Sequence, residues 1–192
     1  IGTSSIRRRS QVLSLRKDLS IKLLRGNVDT RVQKLRNHEY DAIILSLAGL
    51  ARLNLDHLVT EVLDHNLFLP AACQGAVGVQ ALKRSEVKQI FAPINDLKTQ
   101  TECMAERRVL KNINANCNSP VSIYANINKN KIMLKFEIFD HQGNKIFEKL
   151  KEDLKENYLK LCDELSGEII NDLGQTKINE LDNLKSDFDY TP

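Results

Sequence analysis

Apolar and polar positions from Thr3 to Leu55 alternate between two periods. Thr3-Ser4-Ser5 supplies good N-caps for a helical pattern that runs from Ile6 to about Lys17. Ser20 to Leu24 puts Ile21 and Leu23 on one face and reads as a strand. Val28, Val32 and Leu35 recur at i, i+4 and i+7, which predicts a short helix after the turn at Gly26. Asp41-Ala42-Ile43-Ile44-Leu45 carries a continuous apolar run, as expected of a strand covered on both faces, and Ser46 to Leu55 follows as a turn and short helix. Strand and helix alternating at this spacing predict a parallel α/β sheet, with ligands at the carboxyl ends of its strands.

The pattern then changes. Leu67 to Val79 has the character of a crossing segment: Pro70 limits strand pairing, and Gly75 and Gly78 permit close packing or ligand approach. A helix is expected from Ser85 to Ile94 and a longer one from Lys98 to Ile113, capped by Thr99 or Thr101. Met104, Ala105, Val109 and Ile113 make its apolar stripe, while Glu106, Arg107 and Arg108 read as solvated. Alternating runs Val121–Ile127 and Lys131–Phe139 join through Asn128-Lys129-Asn130, and a third strand is expected over Lys145–Leu150. A final amphipathic helix carries Tyr158, Leu161, Cys162, Leu165, Ile169 and Leu173 on one face and stops at Gly174, with a polar, frayed tail beyond Gln175. The predicted architecture is an incomplete α/β domain of periplasmic-binding-protein-like type over residues 1–67, a crossing segment over 68–95, and an α+β domain with a three-stranded antiparallel sheet over 96–192.

Composition narrows the partners. The 192 residues are 42% hydrophobic and 28% charged, with a formal net charge of +3, ordinary for a globular protein. No apolar run approaches the ~18 residues of a membrane helix, and no secretory signal is visible. Cys73, Cys103, Cys117 and Cys162 form no C-x-x-C pair, and no histidine stands at metal-ligand spacing, so free thiols in a cytoplasmic setting are expected and no metal site is. The chain opens Ile1-Gly2-Thr3, inside a strand-to-loop transition, and reads as the continuation of a longer protein.

Candidate chemistry gathers at two places. Arg7, Arg8 and Arg9 open the first helix, and Arg25 and Arg31 flank the turn at Gly26, with Arg52 on the following helix. Amides at a helix start, hydroxyls and guanidinium groups together make an anion site; a solvated basic face is the plainer alternative for the first of these helices. Arginine in place of lysine suits carboxylates or phosphates held in fixed geometry. Nucleic acid fits poorly, because aromatics are only 5% and tryptophan is absent. A small polycarboxylate fits better. The second place is the polar loop Asn114-Ala115-Asn116-Cys117-Asn118-Ser119-Pro120, which sets a cysteine at a loop tip instead of on an apolar face.

Several blocks together, Gly2-Thr3-Ser4-Ser5-Ile6-Arg7-Arg8, Leu24-Arg25-Gly26-Asn27-Val28-Asp29-Thr30-Arg31, Tyr40 to Leu45, Ala48-Gly49-Leu50, Leu69-Pro70-Ala71, Gln74 to Gly78 and Cys117-x-x-Pro120, resemble the hydroxymethylbilane synthases, also called porphobilinogen deaminases, from Ile1 to about Leu173. The resemblance implies a three-domain transferase of tetrapyrrole (porphyrin and heme) biosynthesis. Such enzymes join four porphobilinogen molecules head to tail with loss of ammonia, as a monomer. It implies a dipyrromethane cofactor in thioether linkage to Cys117. It also implies that Thr3, Ser4, Ser5, Arg7, Arg8, Arg25, Gly26, Arg31 and Arg52 hold the pyrrole carboxylates of the cofactor and growing chain. Where the family often has Gly-Gly before its cysteine, this chain has Ala115-Asn116. No residue here takes the place of the family's catalytic aspartate, so the resemblance implies that the chain by itself is inactive. A non-catalytic small-anion-binding module of periplasmic-binding-protein type is the competing reading; it has no use for Cys117.

Overall fold

A computed structural model describes residues 1–116 and 118–181. The fold is mixed α/β, with one small parallel sheet and one antiparallel sheet. Strand β1 (Gly2–Thr3) lies parallel to β2 (Lys22–Leu23), with Gly2 opposite Lys22 and Thr3 opposite Leu23. On its other side Gly2 bridges Ile43, through Gly2 N–H to Ala42 O at 2.8 Å and Ile44 N–H to Gly2 O at 3.2 Å. The strand expected over Asp41–Leu45 is therefore a single bridge, and none of those five residues is fully buried. Burial on both faces needs helices on both sides, and among the described residues the strand pairing of this run is confined to the Gly2 edge.

Helix α1 (Ile6–Leu15) follows β1, and α2 (Val28–Arg36) follows β2. The short α3 (Leu47–Arg52) comes after the Ile43 bridge. Leu69 is fully buried, but Gln74 to Arg84 is exposed. A Cβ at Gly75 or Gly78 would meet nothing within 4 Å, so close packing does not explain these glycines. Gly75 has φ +91°, a backbone state that favours glycine without any neighbour. Helix α4 (Ser85–Phe91) precedes Pro93.

Helix α5 (Leu97–Asn112) is capped by Asp96, whose carboxylate accepts from Thr99 N–H at 2.6 Å; neither threonine is the cap. An aspartate side chain just ahead of the first turn reaches that amide directly. Ala105, Val109 and Ile113 are buried as the stripe predicts, whereas Met104 is half exposed. The antiparallel sheet has the order β3 (Val121–Asn128), β4 (Lys131–Phe139), β5 (Lys145–Leu154). The last strand extends to Leu154 because Lys131 to Leu134 stay paired with it. Helix α6 (Tyr158–Leu173) lays Leu161, Cys162, Leu165 and Ile169 on the sheet, and Gly174 at φ +75° ends it. The tail expected to fray beyond Gln175 is helical in its described part, where α7 (Gln175–Leu181) buries Ile178 and Leu181; residues 182–192 lie outside the described residues. One core cluster joins α5, the three strands, α6 and α7. Each fully buried large apolar side chain there contributes about 1.5–3 kcal/mol.

The two sheets meet through α1. Arg9 Nη1 donates to His141 O at 2.9 Å, Ser10 Oγ to Asp140 O at 3.4 Å, and Lys17 Nζ to Asn144 Oδ1 at 2.6 Å. Gly143 sits against α1 so closely that an added Cβ would lie 2.5 Å from Leu13 Cβ.

Candidate functional site

The parallel sheet presents two strand-to-helix turns on one side. Ser5 caps α1, its hydroxyl accepting from Arg8 N–H at 3.3 Å, and Thr3 Oγ1 accepts from Ser5 N–H at 3.2 Å. Thr3 is buried and Ser4 exposed. Asn27 caps α2, accepting from Thr30 N–H and Thr30 Oγ1, both at 2.8 Å. That cap is readable as an asparagine directly before the apolar period, but the sequence reading overlooked it. Gly26 holds φ +119°, and a Cβ there would lie 2.8 Å from Thr30 Cγ2, so the turn accepts only glycine in this shape.

The arginines divide by environment. Arg7 is buried, and its Nη1 donates to Gln11 Oε1 at 2.7 Å and Leu69 O at 2.6 Å. Burial, reinforced by neighbouring Arg8 and opposed by Glu137, pushes the Arg7 pKa down to about 10, so it stays charged at neutral pH. Arg8 donates from Nη1 to Ile44 O at 2.8 Å; burial and then Arg31 lower its pKa. Arg8 and Arg31 are thus electrostatic neighbours, although they belong to different helices. Arg31 Nε donates to Gly26 O at 2.8 Å, which fixes the guanidinium against its own turn. Arg25 and Arg52 are exposed. An anion near both guanidinium groups would offset the influence of Arg31 on Arg8. Two capped helix N-termini with arginines beside them suit a bound carboxylate.

Cys117 lies outside the described residues. Beside it, Asn116 Oδ1 accepts from Asn118 N–H and Ser119 Oγ from Asn116 N–H, both at 2.8 Å. Among the described residues of this loop Asn114 is left-handed, at φ +57°, two positions after the end of α5.

The sequence also hid Glu106. It is buried, not solvated: Oε2 accepts from Cys73 N–H at 2.5 Å and Oε1 from Ala125 N–H at 2.8 Å. Glu102, one turn earlier on α5, accepts from Ile127 N–H at 2.7 Å. Two carboxylates at i, i+4 ahead of an edge strand are the signal that could have revealed them.

Residues 1–89 match the family model described as "Porphobilinogen deaminase, dipyromethane cofactor binding domain", and residues 100–171 match "Porphobilinogen deaminase, C-terminal domain". Similar curated proteins are the porphobilinogen deaminases of Clostridium botulinum (strain Kyoto / Type A2), 39% identical over 90% of this chain and 59% of that protein, and of Clostridium beijerinckii, 37% identical over 88% and 58%. The chain belongs to the porphobilinogen deaminase family. A third similar protein, from Maridesulfovibrio salexigens, is 41% identical over 75% of this chain and 47% of its own length. The chain therefore spans somewhat over half the length of the Clostridium porphobilinogen deaminases it matches. Membership does not favour the competing non-catalytic anion-binding module. Among the described residues no helix is long and apolar enough to cross a membrane, and no cluster of metal-ligating side chains occurs.

Proposed function

We propose that the protein containing this chain is a hydroxymethylbilane synthase, which polymerises four porphobilinogen molecules with release of ammonia and works as a cytoplasmic monomer. The observation that carries the reading is the pair of capped helix starts that carry Arg8 and Arg31, inside the region matched by the cofactor-binding domain. The residues fit a dipyrromethane: its acetate and propionate groups need several fixed guanidinium and amide donors at one sheet edge. When bound, that group supplies the covalent starting point for chain growth.

In this reading Cys117 is the attachment point, since a thiolate is the nucleophile best suited to forming a stable thioether. Arg8, Arg25, Arg31 and Arg52, with Ser4, Ser5 and the Gly26 backbone, hold pyrrole carboxylates. Buried Thr3 acts by shaping the α1 turn, through its bond from Ser5 N–H. Arg7 acts mainly by anchoring the chain at Leu69. We extend the proposal to the organisation: a periplasmic-binding-protein-like unit over 1–67, a crossing segment over 68–95 and a C-terminal unit over 96–192. The separate core cluster of the C-terminal unit supports that division.

The test is intact-mass analysis of the full-length protein with Cys117 and with Cys117→Ser. A mass excess of two linked pyrrole units, lost in the variant, is expected. An adduct on Cys73, Cys103 or Cys162, or none at all, refutes the assignment.

A further inference from the structure

Cys73 and Cys103 are 30 positions apart in sequence, yet Cys73 Sγ lies 3.7 Å from Cys103 O. The Cys73 side chain thus reaches the backbone of Cys103 itself, one partner of the pair lying on α5 and the other on the segment after Leu69. Both line a cleft of about 350 Å³ between the segment after Leu69 and α5, together with Glu102, Glu106 and Tyr124. Both are partly exposed, unlike Cys162, which is fully buried and donates to Ala105 O. Cys73 is held in place from both ends: its N–H donates to Glu106 Oε2, and its backbone takes φ +58°. Neither thiol has a part in the function proposed above.

We propose that Cys73 and Cys103 form a reversible disulfide, a modification site that straps the segment after Leu69 to α5. The oxidant is a low-molecular-weight disulfide of the glutathione class. A Cys103 thiolate attacks one of its sulfurs, forming a mixed disulfide and expelling one small thiolate, which takes up the Cys103 proton. Cys73 sulfur, on losing its own proton, attacks the Cys103 sulfur and expels the second small thiol. One oxidant is reduced to two thiols, and two protein thiols become one S–S bond. Cys73 makes the second attack because its own proton is hard to remove: burial, then Cys103 and Glu106, push its pKa up to about 12, against a smaller opposing pull from Arg107. The closing step is accordingly slow at neutral pH.

The experiment equilibrates the full-length protein in glutathione buffers from reducing to oxidising, followed by non-reducing digestion and mass spectrometry. The expected product is a Cys73–Cys103 linked peptide pair, about 2 Da below the sum of the reduced peptides and reversed by dithiothreitol. Cys103→Ser and Cys73→Ser each abolish it, and Cys162→Ser does not. If Cys73→Ser does not fold, Cys103→Ala makes the same test. Linkage of either thiol to Cys117 or Cys162, or only mixed disulfides in the most oxidising buffer, overturns the proposal. The readout is a peptide linkage, so it stands or falls apart from the synthase activity.

Discussion

Glu106 on α5 accepts a hydrogen bond from the Ala125 N–H at 2.8 Å, and Ala125 lies on the edge strand of the antiparallel sheet. An edge strand presents unpaired N–H groups, which invite pairing with another chain. Here Glu106 takes one of them and Glu102 the next, at Ile127. The same Glu106 carboxylate holds Cys73 N–H, so one side chain joins the segment after Leu69, the long helix and the sheet. Glu106→Ala leaves the buried Ala125 donor and the part-buried Cys73 donor unpaired, at about 1–3 kcal/mol for a buried one. A fall of that order in unfolding free energy, measured by urea denaturation, is expected; a loss below about 1 kcal/mol would show that water replaces the carboxylate at both sites.

Gly143 lets the β4–β5 turn approach α1 closely. A methyl group there meets Leu13 Cβ at 2.5 Å and Ser10 O at 2.9 Å, and the residue sits at φ +78°. Gly143→Ala should destabilise by about 1–3 kcal/mol through overpacking and left-handed strain together. The neighbouring exposed Gln142→Ala should be close to neutral, and equal midpoint shifts for both would contradict the packing argument.

Arg7 and Arg31 should fail differently. Arg7→Leu removes charge-assisted bonds to the buried Leu69 carbonyl and to Gln11, so stability falls by about 1.5–3 kcal/mol per lost bond and the thermal midpoint drops. Arg31→Leu should keep native circular dichroism and thermal midpoint, but weaken porphobilinogen-chain binding by roughly 10- to 150-fold in the full-length enzyme. Native kinetics in Arg31→Leu would remove the carboxylate cradle.

Asp163 bonds Arg108 through both oxygens, at 2.8 and 2.7 Å, and accepts from Asn112 at 2.8 Å, tying α6 to α5. The Arg108 hydrogen bond, foremost, holds its pKa below the ordinary 3.8. Between the folded and unfolded values the unfolded chain binds more protons, so stability rises with pH in that window. The contribution is complete above pH 3.8 by a unit or so and is lost as pH falls through 3.8 to the folded value. Asp163→Asn should therefore be less stable than the parent at pH 7, with the gap between urea midpoints closing toward pH 2. A gap unchanged across that range would mean that the aspartate acts through packing alone.

Much local chemistry was legible in the sequence, although the Asn27 and Asp96 caps, equally local, were missed. Ser5 ahead of Ile6 forms a cap, Gly26 makes the sharp turn, and Leu161, Cys162, Leu165 and Ile169 share one helix face, because capping, turn conformation and helical period are set within a few residues. The order of elements and the three antiparallel strands followed from the same periods. Tertiary structure alone decided which polar groups leave water. Glu106 has the sequence context of a solvated helix residue and became a buried clamp because an edge strand and the Cys73 segment brought two unpaired amides to it. Arg7 and Arg8 are adjacent and alike in sequence, yet one turns inward to Leu69 O and the other toward Ile44 O and Arg31, since successive helix positions point about 100° apart. Cys73 and Cys103 were two unrelated thiols until the segment after Leu69 folded against α5. In each case the deciding partner is distant in sequence, and no local period encodes it.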